Sequence, residues 1–247
     1  MIEKNHLQSI ISRYYLGGLI ESVKWEIQNN TLNIAFMSPN KDMIGELECN
    51  EFPIEDCELA IFNTTQLNKL LGVTSGQLLI SPIKTNKVYT KLTLQDVSFT
   101  VEYSLADPLM IQSPGTINEP DKYDVSAAME PNDVLAFTKA ASAIPNNELV
   151  TLKATESIHG NPILEFIFGE KMEFSNRITF TVEAQHSIVE GHKIPFNSNM
   201  LREIFHNNKG ASSTSIKFTQ EGLLKLEFDF KEENTKTTYF VVRKADY

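Results

Sequence analysis

The sequence predicts an α+β protein with two similar domains, each made of two units in which a short helix is followed by antiparallel strands. Three observations predict this class. Most of the 247 residues lie in segments where apolar and polar side chains alternate, as in strands with one covered face. Only four short segments have helical periodicity, and the four recur at nearly equal intervals along the chain.

The strand pattern is clearest in three segments. Alternate residues are apolar from Val97 to Leu105, from Ile178 to Val182 and from Leu224 to Phe230. The residues between them are polar, so each strand has one apolar and one polar face. Strands of a parallel sheet are buried on both faces and would instead show continuous apolar runs. The pattern therefore favours antiparallel sheets and argues against a Rossmann-type fold.

Four segments are predicted to be helical because their apolar residues recur every three or four positions. They run from Glu3 to Tyr15, Thr64 to Thr74, Pro131 to Ala143 and Ser198 to Lys209. Residues that favour helix starts open three of them, namely Asn63, Pro131 and Asn197.

The helical segments repeat one unit. The apolar positions of the second segment match those of the fourth at one constant offset, and they match those of the third at half that offset. Phe62-Asn63 before the second segment recurs as Phe196-Asn197 before the fourth, and the first segment precedes the second by a slightly shorter interval. The fully matched positions are Leu67, Leu70 and Leu71 against Leu201, Ile204 and Phe205.

A proline-rich stretch between the second and third units marks a domain boundary. Pro108, Pro114 and Pro120 prevent a continuous strand or helix there. We therefore predict an N-terminal domain over residues 1–106, a connector over 107–122 and a C-terminal domain over 123–247. Within the connector, Leu109-Met110-Ile111 is apolar. It packs onto one domain or forms part of a groove for partner peptides, and the two are compatible because a packed connector makes one wall of a groove.

The charge of the chain is segregated by element. The net charge is −10, which excludes a uniformly basic surface. The helical segments are nevertheless net positive, with acidic Glu3, Asp133 and Glu203 outnumbered by basic residues. We predict that these basic residues face the phosphates of duplex DNA without reading its sequence. They are Lys4, Arg13, Lys69, Lys139, Arg202 and Lys209. The plainer interpretation, ordinary solvated surface helices, stays open at this point.

Catalytic, metal-binding and cofactor-binding motifs are missing from the sequence, so we expect a non-enzymatic protein without cofactor or metal. Cys49 and Cys57 are too few for a disulfide framework and favour a reducing compartment. No apolar run approaches the roughly 20 residues of a membrane span. These features predict a soluble protein of the cytoplasm.

Three segments, together with the connector, carry a resemblance to a known family. They are Cys57–Leu71, Ile194–Phe205 and Thr237–Lys244. These segments resemble the sliding clamps that act as processivity factors of DNA polymerases in tailed phages of the T-even type. The likeness extends more distantly to the proliferating cell nuclear antigen family. The resemblance implies the DNA clamp fold, in a homotrimeric ring that encircles duplex DNA. It also implies DNA polymerase and an ATP-dependent clamp loader as partners, in the cytoplasm of the host cell if the protein is phage-encoded.

By position in the family, the resemblance assigns two further sets of residues. Subunits are expected to pair through Val97, Phe99, Val101 and Tyr103 of one chain and Arg177, Ile178, Phe180 and Val182 of the next. A pocket for partner peptides is expected at Met37, Ile44, Leu109, Met110, Leu224, Phe240 and Val242.

Two alternatives to a ring remain open. One is a monomeric processivity factor of the same fold that holds DNA on a basic face. The other is a non-enzymatic, β-rich viral interaction protein, in which the spacing of the helices would be a coincidence.

Overall fold

A computed structural model describes residues 1–115, 117–144, 147–169, 176–187 and 193–244. Four α-helices lie in these ranges, close to where the sequence predicts them, which confirms the α+β class. They are α1 (Lys4–Tyr15), α2 (Thr64–Gly72), α3 (Pro131–Ala143) and α4 (Ser198–Asn207). The second and fourth end two residues earlier than predicted, so Lys209 follows α4 instead of lying in it.

The chain divides into two compact units, the first comprising Met1–Thr116 and Lys231–Thr237 and the second Ile117–Phe230 and Thr238–Tyr247. The division falls inside the predicted connector, whose Thr116 lies outside the described residues.

Eight strands precede the connector. They are β1 (Ile2–Glu3), β2 (Val23–Gln28), β3 (Thr31–Met37), β4 (Met43–Cys49), β5 (Cys57–Ile61), β6 (Gln77–Thr85), β7 (Val88–Gln95) and β8 (Thr100–Ser104). They form a sheet in the order β1-β6-β7-β8 and a run in the order β5-β2-β3-β4, with antiparallel neighbours. Leu7 and Ile10 of α1 and Leu67 of α2 are fully buried in this unit.

The strands after the connector repeat this arrangement. They are β9 (Val125–Met129), β10 (Leu149–Glu156), β11 (Pro162–Phe168), β12 (Ile178–Glu183), β13 (Gln185–His186), β14 (Lys193–Asn197), β15 (Ser213–Phe218), β16 (Leu223–Phe230) and β17 (Thr235–Val242). One sheet has the order β12-β11-β10-β14, and the other runs β13-β9-β15-β16-β17. Phe137 of α3 packs against Phe205 of α4 with ring centroids 4.1 Å apart.

The two copies of the Phe-Asn pair, Phe62-Asn63 and Phe196-Asn197, cap their helices in the same way, but their phenylalanines differ in burial. Asn63 Oδ1 accepts the N–H of Gln66 at 2.8 Å, and Asn197 Oδ1 accepts that of Met200 at 3.1 Å. Both asparagines therefore cap their helices as predicted. Phe196 is fully buried, whereas Phe62 is 56% exposed.

The strand predicted from Val97 is shorter than expected and begins at Thr100. The Asp96 carboxylate accepts the N–H groups of Phe99 at 2.6 Å and Ser98 at 2.7 Å. These bonds hold the pKa of Asp96 below its ordinary value. Because an aspartate that bonds the next N–H groups competes with strand pairing, Val97 and Phe99 lie in a turn.

Candidate functional site

The helices pack in pairs that leave one side of each pair to solvent. In the first unit, the hydroxyls of Tyr15 on α1 and Thr65 on α2 are 2.7 Å apart. In the second unit, Phe137 and Phe205 fill the space between α3 and α4. The buried stripes are apolar, so the polar residues between them are presented outward.

Three of the six predicted DNA-facing residues are fully available to an external anion. Lys69 on α2, Lys139 on α3 and Lys209 just after α4 are exposed. Arg202 is partly exposed, and its guanidinium lies 3.2 Å from the Glu203 carboxylate on the same helix. Such a surface pair is weak, so Arg202 keeps much of its capacity to bind an anion.

Lys4 is used largely within the first unit. Its Nζ donates to the carbonyl of Thr74 at 2.6 Å and to that of Gly72 at 3.3 Å. Both carbonyls lie at the C-terminal end of α2, where the helix dipole favours a cation. Lys4 therefore joins the start of α1 to the end of α2.

Arg13 does not belong to the set of DNA-facing residues in which the sequence analysis places it. Its side chain is only 3% exposed, and its Nη2 lies 2.6 Å from the carboxylate of Glu233. Glu233 belongs to Lys231–Thr237, a segment of the first unit. A guanidinium buried against a carboxylate cannot also contact a phosphate outside the unit. The prediction that Arg13 faces DNA is therefore wrong.

We expect the pair of Arg13 and Glu233 to stabilise the first unit. Glu233→Ala would leave the guanidinium buried without this carboxylate. Because Glu233 is partly exposed, we expect a loss of about 2 kcal/mol, less than for a fully buried pair. Urea unfolding followed by circular dichroism measures the loss. Glu232→Ala, at the exposed neighbouring position, is the control, and equal stability of the two variants would argue against a structural role for the pair.

β8 is an edge strand, the last of its four-stranded sheet in the described part of the chain. Leu105, just after it, donates its N–H to Thr90 at 2.9 Å, and the carbonyl of Phe99, just before it, accepts the N–H of Asp96 at 3.0 Å. Backbone groups alternate in direction along an antiparallel strand. The odd-numbered residues of β8 therefore bond to β7. The residues whose backbone groups point to the open edge are Thr100, Glu102 and Ser104.

Among the described strands β12 also lies at the edge of its sheet, and the directions of its backbone groups have the opposite parity to those of β8. Ala184, just after it, donates its N–H to the carbonyl of Pro162 at 3.1 Å, so even-numbered residues bond to β11. The residues of β12 that face the open edge are Thr179, Thr181 and Glu183.

The predicted subunit-contact residues are partly covered within their own units. Val101, Tyr103 and Val182 are buried, while Ile178 and Phe180 are half-buried. Val97 and Phe99, in the turn before β8, and Arg177, just before β12, are exposed. The apolar faces of both edges are thus incompletely covered at one end.

The first half of the connector presents two apolar side chains to solvent. Pro108–Met110 forms a short 3-10 turn, in which the Asp107 carboxylate accepts the N–H of Leu109 at 2.9 Å. Leu109 is 90% exposed and Met110 is 74% exposed, whereas Ile111 is buried. Ile111 therefore anchors this half of the connector, and its two neighbours form an exposed apolar pair.

The remaining residues of the predicted pocket differ in exposure. Met37 on β3 lies opposite Ile44 on β4, and both are half-buried. Val242 is exposed, and Phe240 is buried on the face of β17 opposite to that of Tyr239. Tyr239 contacts Phe228 in the core of the second unit.

Leu224 does not line a pocket for partner peptides, contrary to what the family resemblance implies. It shares one face of β16 with Leu226 and Phe228, and all three are buried. Because side chains alternate along a strand, the residue of β16 on the side of Phe240 is Lys225, whose Nζ lies 5.5 Å from the ring centroid. Leu224 is therefore a core residue.

No signal in the sequence pointed to the partners of Arg13 and Lys225. Glu233 is far from Arg13 along the chain. Glu119, which contacts Lys225, lies in the connector, where the sequence has no helical or strand periodicity that could indicate which way its side chain points.

Among the described residues, no cluster of His, Cys, Asp and Glu could hold a metal ion, and no helix has the length and apolar character of a membrane span. Both cysteines are free.

No family model and no curated protein matches this sequence. Solved structures match over almost the whole chain. The proliferating cellular nuclear antigen of Entamoeba histolytica has a TM-score of 0.73 at 15% identity, covering 98% of this chain and 96% of that one. A chain of the PCNA2–PCNA3 complex of Sulfolobus tokodaii has a TM-score of 0.76 at 12% identity, covering 100% and 98%.

A third match is the structure of the C-terminal region of FEN-1 bound to A. fulgidus PCNA, with a TM-score of 0.77, 15% identity and coverage of 100% and 98%. At such low identities the likeness concerns the fold. The chain has the PCNA-like DNA clamp fold of mixed helix and antiparallel sheet, as the sequence predicts.

Proposed function

We propose that this protein is a sliding clamp, which encircles duplex DNA as a homotrimeric ring and tethers a DNA polymerase of a tailed phage of the T-even type. The observation that carries the proposal is the exposure of Lys69, Lys139 and Lys209 on or beside the helices of a clamp fold, in a chain with a net charge of −10. Lysines of this kind attract phosphates without reading the sequence. The acidic remainder disfavours DNA on other surfaces.

The edge strands support assembly of copies of the chain. Antiparallel pairing of β8 with β12 of another copy must bring even-numbered residues of β8 opposite odd-numbered residues of β12, because those carry the open backbone groups. This alignment also places Val101 and Tyr103 on the same sheet face as Ile178 and Phe180 of the other copy. One alignment therefore meets the demands of hydrogen bonding and of apolar contact, and it removes two open edges.

The contact is head-to-tail, since β8 and β12 are different surfaces, and repeated contacts of this kind close into a ring or continue as a filament. Three copies would complete the six-domain ring implied by the family resemblance. The ring needs only weak, mobile contacts with DNA, because encirclement itself prevents escape. A separate ATP-dependent loader would open it, in the cytoplasm of the host cell and without enzymatic activity or cofactor in the clamp.

Light scattering coupled to gel filtration tests the assembly. We expect a species with three times the mass of one chain, which is 27.9 kDa, and we expect it to dissociate on dilution. A monomer at every concentration would contradict the ring and favour a processivity factor that binds DNA on one face.

For partner binding, we propose that Leu109 and Met110, the exposed apolar pair of the connector, receive the apolar C-terminal peptide of the polymerase. Among the similar structures, one is described as PCNA with the C-terminal region of FEN-1 bound. A short peptide gains affinity mainly by burying a few apolar anchors.

We expect the double variant Leu109→Asp, Met110→Asp to lose binding of the polymerase C-terminal peptide by at least about tenfold, since two desolvated carboxylates would replace apolar contacts. Both side chains are exposed, so the fold should be unaffected. Fluorescence anisotropy of the labelled peptide measures the affinity. The control is Ile158→Asp at an exposed hairpin tip, which should bind as the parent does; equal binding by all three proteins would exclude the connector as the docking site.

A further inference from the structure

One side of β6 is an open edge over most of the length of the strand. β1 pairs with β6 only through Ile2 and Glu3, although β6 continues to Thr85. No other described strand pairs with β6 on that side. From Leu79 onward, the backbone of β6 therefore lacks a neighbouring strand there in the described part of the chain.

The hydrogen bonds on both sides of β6 show which of its backbone groups point to the open edge. Lys4, just after β1, donates its N–H to the carbonyl of Gly76, just before β6, at 2.9 Å. Even-numbered residues of β6 therefore face the side of β1. The even-numbered residues of β7 bond to β8, so its odd-numbered residues bond to the odd-numbered residues of β6 that lie opposite them. Both observations assign the backbone groups of Ile80 and Pro82 to the open edge.

The proline at position 82 fits this direction. Proline has no N–H, and a strand tolerates it where that group would point away from the sheet. The edge therefore offers the N–H and the carbonyl of Ile80 and the carbonyl of Pro82. Prolines on exposed edges also hinder unselective pairing, so a strand that joins this edge needs additional contacts.

Additional contacts are available in a cleft beside the same edge. The cleft has a volume of about 430 Å³, which is within the range of ligand pockets. Its apolar and aromatic lining residues are Pro53, Ile54, Ile80, Pro82 and Tyr89. All five belong to the first unit. The cleft therefore combines unpaired backbone groups with an apolar wall inside one compact unit.

The charges around the cleft indicate which end of a peptide would lie where. Lys84 lines the cleft, with its Nζ 4.4 Å from the centroid of the Tyr89 ring, and Lys87 is exposed in the turn that joins β6 to β7. A strand antiparallel to β6, in line with β1, has its N-terminal end beside Lys84. Glu55, on the loop before β5, also lines the cleft, so acidic residues are favoured only at the end next to the two lysines.

We propose that the open edge of β6 binds an extended peptide segment of a partner protein, which adds as an antiparallel strand in line with β1 and places an apolar side chain in the cleft. The segment alternates apolar and polar residues and carries acidic residues at its N-terminal end. Main-chain bonds to Ile80 and Pro82 supply affinity, and the cleft supplies selectivity. This site is separate from the exposed apolar pair of the connector and goes beyond the proposed function.

The probe is an acetylated, amidated peptide that begins with two aspartates and then alternates valine or phenylalanine with threonine. Its binding to the full chain is followed by NMR titration. We expect the N–H of Ile80 to become protected from hydrogen exchange when the peptide binds, whereas the N–H of Ser81, which points to β7, is protected in both states. Methylation of the peptide nitrogens one at a time should weaken binding at every second position, because only alternate N–H groups face β6.

Pro82→Ala separates strand addition from binding by side chains alone. Alanine supplies an N–H at the open edge, so one more hydrogen bond forms and binding should be about two- to tenfold tighter. A groove that holds only side chains would instead lose affinity with the proline ring. Lys84→Glu should weaken binding by a similar factor, and Lys41→Glu, at an exposed loop position, is its charge-matched control.

The double variant Leu109→Asp, Met110→Asp shows whether the probe uses the connector instead. We expect it to bind the probe as the parent does. Loss of binding in this variant would place the probe on the connector, which would overturn the β6 site and leave the proposed function standing. Equal or weaker binding by Pro82→Ala, effects of methylation that do not alternate, or no binding to the parent would each overturn strand addition at β6.

Discussion

If the protein is the proposed trimer, replacing Glu102 with proline is expected to convert it into monomers of 27.9 kDa. The backbone N–H of Glu102 points to the open edge of β8, as the bonds of the flanking odd-numbered residues to β7 show. Proline removes that donor and places its ring in the path of the incoming strand. An edge strand tolerates proline at such a position, so the unit itself should remain folded.

The size of the effect follows from what each contact loses. A lost hydrogen bond and an acceptor left unsatisfied in the partner strand together cost about 2–4 kcal/mol. This corresponds to roughly a hundredfold in the association constant of each contact, and all contacts of a ring are weakened at once. Light scattering over a dilution series, with circular dichroism to confirm the fold, measures the result.

The choice of residue is decisive for this experiment. Val101 has the opposite backbone direction, so proline there would break the bonds between β7 and β8 and damage the unit itself. Glu102→Ala is the matched control, because it removes the pair with Lys91 but keeps the N–H. A proline variant that remained trimeric would show that subunits associate elsewhere, whereas monomers from both variants would point to the carboxylate.

Periodicity predicted the elements well because the physical cause is local. An amphipathic helix must repeat its apolar residues within its own length, and a cap such as Asn63 lies directly before the helix that it caps. The same holds for the edge strands, whose one-sided pattern is visible without knowing their neighbours. The positions of α3 and α4 can be predicted from the residues of those two segments alone.

The errors arose where a partner lies far away in the chain. Arg13 has the spacing of a solvent-facing residue, and only Glu233, brought back into the first unit, explains its burial. Phe62 and Phe196 occupy matching positions of the repeat, yet only Phe196 is covered. The error at Leu224 has a different cause. Leu224 is assigned to the pocket by its position in the family, although its neighbours Leu226 and Phe228 already indicate that it belongs to the apolar face of β16.

Reversing the charge of Lys69, Lys139 and Lys209 together is expected to abolish sequence-independent binding of duplex DNA. These three residues are exposed on or beside three helices, so their replacement by glutamate removes no internal contact among those described above. Each lysine that meets a phosphate contributes about 0.9 to the slope of log K against log salt. In the triple variant, the magnitude of the slope of log K against log salt should therefore fall by up to about 3 per subunit.

A matched control separates local contacts from net charge. Lys41, Lys87 and Lys244 are also exposed, but they lie in loops or after the last strand. Their replacement by glutamate changes the net charge of the chain by the same amount. If the field of the whole protein dominated, both triple variants would lose DNA equally. If the helices face the DNA, only the first variant should lose binding, measured by anisotropy of a labelled short duplex at several salt concentrations below the physiological value.

The helix variant, Lys69, Lys139 and Lys209 to glutamate, also distinguishes encirclement from binding on one face. A ring that surrounds DNA stays on a closed circular duplex after loading even when its contacts are weak, whereas a face-binding monomer dissociates as its contacts weaken. With a loader and a nicked circle, the helix variant should load poorly, yet the molecules that do load should remain until the circle is cut. Release of the helix variant from intact circles as fast as from cut ones would mean that contact, and not topology, holds the protein on DNA.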